Sequence, residues 1–407
     1  MEKMGTKTIS IAMLAMASAL FVACSSTPQR DLVQENFDVA QVQIEALLAG
    51  SMKGGVGNPP GAYVGGEIDF IPIGDWTGSF FAGTLWQLYD WSADEKWRDG
   101  ALKYTELLNP IQHLTWHHDV GFIINSSYGN AIKYINIKEY RDVITTTAES
   151  LSTRYNPEVG AIISWDIDRG WQAERGWHYP VIINGLMNLE LLFVASQLSG
   201  DQKYYDIAVN HADRTLENAF RSDGSTCHVV DYNPQNGEVM SRSTAHGYSD
   251  ESTWTRGQAW AIYGFAMCYR YTGDKKYLDQ AQKACDFYLS HPNLPEDLVP
   301  YWDFDVPDIP NALRDVSSAA ITCSALYELY YHTQHRAYRQ KADKIMENLS
   351  CDEYRSQVGE NGGFILKHTV GGMHQNNYID VATAYADYYF VEALLRRNKI
   401  ENKTKLF

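Results

Sequence analysis

Hydrophobic positions along this chain repeat as two helical segments joined by a short turn. Three clear copies begin at Leu85, Leu191 and Tyr263. In each copy the first segment is apolar on nearly every side, which predicts a helix that is buried all round. The second segment has apolar residues at intervals of three and four, which predicts an amphipathic helix with one face toward water. The pattern therefore predicts alternating inner and outer helices.

Two weaker copies begin at Ala131 and Ala325, and an aromatic residue follows the turn in every copy. These aromatic residues are Trp97, Tyr140, Tyr204, Tyr277 and Tyr338. An amphipathic segment at 37–48 lacks an inner partner before it, and an apolar segment at 384–397 lacks an outer partner after it. Because these two segments complete each other, we predict an all-α (α/α)6 barrel, a closed ring of six helix pairs. An open superhelical array of the same pairs is the alternative.

Composition changes this picture in two ways. The 407 residues are 45% apolar, which is enough for a large core, and they include 11 Trp and 27 Tyr. Such rings either fill the core or stack on sugar rings in a cleft. The net charge is −16, and no run is rich in Lys or Arg. Nucleic acid is therefore excluded as the partner, because binding phosphates requires clustered cations.

The first residues have the features of a lipoprotein signal peptide. Lys3 and Lys7 precede an apolar run that ends in "LFVACSS", which places a small residue before Cys24. We expect a signal peptide over 1–23, lipid attachment at Cys24, a flexible tether over 24–34 and one domain over 35–407. The lipid would be the only membrane contact, at a bacterial envelope and facing the periplasm. A simple secretory signal and a membrane anchor are the alternatives, although the run is short for a spanning helix.

The other cysteines and the histidines give no sign of a metal site. The number of remaining cysteines is odd and no CxxC pair occurs, so we expect buried free thiols at Cys227, Cys268, Cys285, Cys323 and Cys351. No set of His, Asp and Glu has the spacing of metal ligands with a third member. We therefore expect no metal and no other cofactor.

Four clusters of polar and aromatic residues lie at the starts of predicted inner helices. They occupy 75–86, 116–122, the stretch around Asn184 and 244–260. Taken singly, Asp119 could be a helix N-cap, the tryptophans could be core, and Arg256 could form a surface ion pair. Their convergence on one rim of the ring instead predicts a binding cleft. A polar amide at Asn184, inside an apolar segment, fits a helix start that faces this cleft.

Seven motifs resemble glycoside hydrolase family 88, the unsaturated glucuronyl hydrolases, over essentially the whole predicted mature chain. They are WTGSFFAGTLW, HHDVGF, VIINGLMNLELL, DGSTCHVVDY, SDESTWTRGQAWAIYGFA, RDVSSAA and ADYYFVEALL. The resemblance implies an (α/α)6 barrel and removal of 4,5-unsaturated uronic acid from oligosaccharides that polysaccharide lyases produce. Family members protonate C4 of the C4=C5 vinyl ether and add water at C5. The implied partner is an unsaturated uronate-containing di- or oligosaccharide, with glycosaminoglycan fragments as first candidate.

The resemblance also assigns roles to single residues. Asp119 matches the family's first essential aspartate, and Asn184 stands where the family has its acid/base aspartate. The implied substrate-binding residues are Trp76, His228, Thr244, His246, Trp254, Arg256 and Trp260. The segment 371–381 differs from the family loop that helps to hold the second sugar, so the resemblance leaves that sugar open.

Three hypotheses for the function remain, and the first two depend on the amide at position 184. A carboxamide keeps the shape of a carboxylic acid but cannot donate a proton in its place. The chain is therefore either a hydrolase with altered or lost activity, in which Asp119 is the remaining carboxyl group, or a non-catalytic carbohydrate-binding lipoprotein of the same fold. A helical scaffold for protein partners is the third hypothesis. It predicts an apolar outer surface, whereas the predicted outer helices are charged.

Overall fold

Outer and inner helices alternate along the chain as the hydrophobic pattern predicts. A computed structural model describes residues 31–53 and 57–407. The outer helices are α1 (Leu32–Ser51), α3 (Glu95–Leu107), α5 (Lys138–Ser152), α7 (Gln202–Asn218), α9 (Lys275–Ser290) and α11 (Arg336–Leu349). The inner helices are α2 (Phe80–Ser92), α4 (Val120–Ile124), α6 (Gly185–Ser199), α8 (Thr255–Thr272), α10 (Val316–Thr333) and α12 (Ala384–Glu401). The short α4 continues as a π-helical turn over Asn125–Gly129.

The ring of inner helices is closed. Each inner helix packs against the next one, the π-helical turn serves as the contact between α2 and α4, and α12 packs against α2. The last inner helix α12 also contacts the first outer helix α1, so the two unpaired segments of the sequence form the sixth pair. Every residue of α8 from Thr255 to Cys268 is buried, as expected of a helix surrounded by others. The closed barrel is confirmed and the open array is not.

Short turns join each inner helix to its outer partner. Inner helices α2, α6, α8 and α10 end in a residue with left-handed backbone conformation, which stops the helix within one residue. Asp94, Asp201 and Asp274 then cap α3, α7 and α9 by accepting a backbone N–H. The five aromatic residues found in the sequence are each the third residue of an outer helix, and all are buried. They anchor the outer helices on the inner ring.

The connections at the opposite rim are long and contain short antiparallel strands that the sequence analysis did not predict. These strands are β1 (Pro60–Val64), β2 (Glu67–Phe70), β3 (Tyr155–Asn156), β4 (Ala161–Ile162), β5 (Pro180–Ile182), β6 (Val229–Tyr232), β7 (Val239–Ser243), β8 (Thr369–Gly372) and β9 (Asn377–Thr383). They form sheets of order β2-β1-β9-β8, β3-β4 and β5-β6-β7. Ile182 pairs with Val229, and Ala62 pairs with Thr383. Strands β5 and β9 therefore fix the chain just before α6 and α12 begin.

Two predictions about the chain's periphery need correction, and others lie outside the described residues. Helix α1 begins at Leu32, so residues 32–34 are helical rather than part of a flexible tether. Four of the five cysteines are buried free thiols as predicted, but Cys351 is exposed. The signal peptide and Cys24 fall on residues that the structure does not describe. No helix within 31–53 and 57–407 has both the length and the apolar character needed to cross a membrane.

Candidate active site

A cavity of about 530 Å³ opens at the rim where the inner helices begin. Six of the predicted site residues line it: Trp76, Asp119, Asn184, His246, Trp254 and Arg256. The cavity wall also includes residues that were not among the predicted site residues, among them Asp75, Trp116, Trp165, Trp171, Gln172, Gln375, Asn376, Asn377, Tyr378 and Tyr385. Aromatic faces and a few polar groups in one concave site are typical of sugar binding. Among the described residues, no group of three or more His, Cys, Asp or Glu side chains could hold a metal ion.

Asp119 occupies the N-cap position of α4, but its carboxylate makes no capping hydrogen bond. The N-cap explanation is therefore insufficient, and the carboxyl group faces the cavity instead. Burial raises the pKa of Asp119 to about 7, although a hydrogen bond from Asn188 acts in the opposite direction. The neighbouring Asp75 carboxylate also raises this pKa. A carboxyl group that titrates near neutral pH can both give and take a proton.

Two neutral histidines lie beside this carboxyl group. Burial lowers the pKa of His117 to about 4 and that of His118 well below its usual value. The Asp119 backbone N–H donates to His117 Nδ1 over 3.0 Å, so His117 carries its proton on Nε2 and donates to the Gly74 carbonyl. His118 Nε2 lies 3.3 Å from Asp119 Oδ1. Because neither ring is charged, neither one holds Asp119 in its ionised form.

Two amides one helical turn apart on α6 have different surroundings. Asn188 Oδ1 accepts the Phe122 backbone N–H over 2.8 Å, and its Nδ2 donates to Asp119 Oδ1 over 3.5 Å. Asn184 lies at the N-cap of α6 without capping it, and its buried Oδ1 has no hydrogen-bond partner among the described residues. Asn188 thus joins α4 to α6, whereas Asn184 presents an unused acceptor in the wall of the cavity.

A glycine allows these two inner helices to approach closely. A Cβ atom on Gly121 would lie 2.7 Å from the Cα and Cβ atoms of Asn188, which is closer than real contacts allow. Any larger residue would force α4 away from α6 and lengthen the Asn188 contact with Asp119. The small residue in "HHDVGF" therefore helps to bring Asp119 and Asn184 into one cavity.

Arg256 lies in the cavity wall, and its terminal nitrogens already have partners. Its Nη1 donates to Asp315 over 2.7 Å and to the Val370 carbonyl, and its Nη2 donates to the Gly371 carbonyl. The guanidinium group also lies 4.7 Å from the centre of the Trp254 ring. The arginine therefore attaches the end of strand β8 to the barrel.

Three predicted substrate-binding residues are not among those that line the cavity, so their binding role stays a prediction. Trp260 is fully buried and packs in the barrel core, with its ring 5.4 Å from that of Phe122. Thr244 shapes a turn, since its Oγ1 accepts the Gly247 N–H. His228 supports the cavity indirectly, because its Nδ1 accepts the backbone N–H groups of Ala245 and His246.

His246 itself does line the cavity, together with the segment that departs from the family pattern. Burial lowers the pKa of His246 to about 3, so the ring is neutral. Gln375 Nε2 donates to the Ala245 carbonyl, which directs Gln375 Oε1 toward His246 Nδ1 at 3.2 Å. The divergent segment 371–381 therefore forms one wall of the site.

Comparisons with known proteins agree with the fold and the motifs. No family model matches the chain. An unsaturated glucuronyl hydrolase of Formosa agariphila is 44% identical over 331 residues, which cover 81% of this chain and 82% of that protein. The crystal structure of an unsaturated glucuronyl hydrolase specific for heparin has a TM-score of 0.87 and 39% identity, over 92% of this chain and 99% of that one. A structure of UGL with an aspartate replaced by asparagine, described with dGlcA-Glc-Rha-Glc, has a TM-score of 0.81 and 29% identity, over 89% and 97%.

These likenesses define a glycoside hydrolase with an α/α-barrel fold. The chain belongs to the unsaturated glucuronyl hydrolases, glycoside hydrolase family 88.

Proposed function

We propose that the cavity binds the 4,5-unsaturated uronyl residue at the non-reducing end of lyase products, and that this chain removes it slowly by hydrating the C4=C5 bond. One observation carries the proposal. Asp119, a partly buried carboxyl group with a pKa of about 7, and Asn184, at the start of the next inner helix, face the same ring-lined cavity. A flat unsaturated sugar fits between aromatic faces such as those of Trp76 and Trp254.

In this mechanism the Asp119 carboxylic acid donates its proton to C4 of the vinyl ether. Positive charge develops at C5, where the ring oxygen shares it, and water adds at C5 while its proton returns to the Asp119 carboxylate. The C5–O bond of the resulting hemiketal then breaks, and the hemiacetal left at C1 releases the rest of the saccharide. Asn184 Oδ1 can accept a hydrogen bond from the water but cannot take its proton. Turnover is therefore slow.

The alternative function is binding without turnover, and the same asparagine favours it. A carboxamide in the acid/base position keeps the shape of the site while removing a titratable group. The two functions differ in the fate of the double bond, which absorbs ultraviolet light only while it is intact. Saturable binding with no loss of absorbance over days would establish the alternative.

A titration of the intact chain with an unsaturated glycosaminoglycan disaccharide tests the binding step. We expect saturable quenching of tryptophan fluorescence, because several tryptophans line the cavity. The matched disaccharide with a saturated uronate is the control, and it should bind more weakly since its ring is not flat. If no unsaturated lyase product changes the fluorescence, the proposed function is wrong.

We also propose that lipid on Cys24 holds the protein at the bacterial envelope. The motif "LFVACSS" supports this proposal. We expect Cys24→Ser to move the protein from the membrane fraction to the soluble fraction and to abolish labelling by radioactive palmitate. Cys351→Ser is the control, because Cys351 is an exposed cysteine that lies in the barrel domain. Unchanged membrane association of Cys24→Ser would contradict the proposal.

A further inference from the structure

A second binding element lies beside the cavity, on the connection between α5 and α6. The 3-10 segment Gly170–Glu174 presents Trp171 and Gln172 to the cavity, and Arg175 follows it directly. Gly170 and Gly176 have φ values of 59° and 70°, which L-residues with side chains rarely adopt. The sequence therefore specifies a tight loop that ends in an arginine at the rim.

The side chain of Arg175 is held by rings alone. Its guanidinium carbon lies 5.5 Å from the centre of the Trp171 ring and 5.6 Å from that of Trp177. Its backbone N–H donates to the Gln172 carbonyl, whereas the guanidinium group has no hydrogen bond or ion pair with any described residue. Stacking on aromatic faces leaves the N–H edge of the guanidinium group free, and this edge matches the oxygens of a carboxylate or sulfate.

Arg175 is connected to the cavity through Trp171. The Trp171 ring lies 6.5 Å from that of His246, which lines the cavity. Burial is the main cause of the low pKa of His246, and the charge of Arg175 is a smaller cause that acts in the same direction. Within the described residues that line the cavity, Arg256 is the only Lys or Arg, and its terminal nitrogens are bound to the protein.

An anionic substrate would need a cation near this cavity. The protein carries a net charge of −16, and Asp75 and Asp119 add two carboxyl groups to the cavity itself. A saccharide with an acidic second sugar would be repelled unless a cation met its negative group. Arg175 lies against Trp171, which lines the cavity, so a sugar that extends past this wall could bring its negative group to the guanidinium.

We propose that Arg175, stacked on Trp171 and Trp177, binds an oxyanion on the sugar that follows the unsaturated uronate. This proposal rests on the proposed function. The oxyanion is a sulfate ester or a carboxylate, since both present oxygens that match the guanidinium edge. The chain therefore prefers lyase products whose leaving sugar is anionic.

Binding of three saccharides to the full chain tests this proposal. All three carry the same unsaturated uronate, and the next sugar is neutral, sulfated or carboxylated. We expect Arg175→Gln to weaken binding of one or both anionic saccharides by about fivefold, while the neutral one changes less than twofold. Comparing the sulfated with the carboxylated saccharide shows whether Arg175 binds a sulfate ester, a carboxylate or both. High salt should reduce the preference, because the contact is partly exposed.

Arg169→Gln is the matched control. Arg169 lies at the other end of the same loop, but it is paired with Asp166 and Asp168. We expect its loss to leave all three affinities unchanged. Equal weakening of all three saccharides by Arg175→Gln would show that Arg175 only shapes the loop, and no change at all would also overturn the proposal. If the unaltered chain binds none of the three saccharides, the proposed function fails. If it binds them and Arg175→Gln changes no affinity, only the proposal about Arg175 fails.

Discussion

Replacing Asn184 by aspartate is expected to raise the rate of double-bond hydration by about 10²–10⁴-fold, the usual contribution of a positioned acid or base. The amide oxygen of Asn184 is buried, faces the cavity and has no partner among the described residues, so a carboxyl group of the same shape fits without displacing a contact. It would share the cavity with Asp119 and supply the titratable group that the amide lacks. The measurement is the loss of ultraviolet absorbance of an unsaturated disaccharide, with both chains at equal concentration.

Asn188→Asp, the same substitution one helical turn later, is the control for the expected rate increase. Asn188→Asp would remove the amide that donates to Asp119 Oδ1 and put a second carboxyl group in its place. It would raise the pKa of Asp119 further, because like charges at short distance cannot both ionise easily. We therefore expect no increase in rate. A folded Asn184→Asp chain that is no faster than the unaltered one on any lyase product would contradict the hydrolase mechanism.

The barrel could be predicted from the sequence because its signal is periodic. An inner helix such as α8 is apolar on all sides, and five of the six outer helices have an aromatic residue at their third position, so the pairs repeat visibly. Closure of the ring could be predicted because one segment lacked an outer partner and another lacked an inner partner, and these segments form α12 and α1. The strands could not be predicted in this way. Strand β6, for example, is defined by its pairing with β5 and β7, which no local pattern of residues reports.

Site residues could be predicted from the sequence where they lie just before an inner helix, because that position places them at the rim of the barrel. Asp119, Asn184 and Trp254 directly precede inner helices, and all three reach the cavity. Trp260 lies in the same motif but more than one turn into α8, where side chains point into the core. Trp171 was missed because its connection has no period, and only the density of tryptophans at 165–177 marks it. Motif matching gives the neighbourhood of a residue but not the direction of its side chain.

Asp119→Asn is expected to lower activity, measured in the Asn184→Asp chain, and to raise stability, measured in the otherwise unaltered chain. The loss of turnover should be about 10²-fold or more, because Asp119 is the carboxyl group that faces the cavity and accepts a hydrogen bond from Asn188. The variant keeps the size of the side chain, so a loss caused by misfolding would appear as a lower melting temperature. We instead expect a higher one above pH 7, since the variant no longer buries an ionisable group.

The sign of this stability change follows from the pKa of Asp119, which burial raises from 3.8 to about 7. Below pH 4 the carboxyl group is protonated in both the folded and the unfolded chain, so Asp and Asn should be nearly equivalent. Between pH 4 and 7 the folded state retains a proton that the unfolded state loses, and the stability of the Asp form declines. The difference in unfolding free energy should level off above pH 7 at about 2–4 kcal/mol in favour of Asn.

Denaturant unfolding of both chains at pH 4.5 and pH 8 measures this difference directly. Burial also raises the pKa of Asp387 to about 7, but Asp387 is present in both chains and cancels in the comparison. A stability difference that is the same at the two pH values would mean that Asp119 is ionised across this range. Asp119 would then carry no proton in the free protein at neutral pH, which contradicts the proposal that it protonates C4 with a pKa near 7.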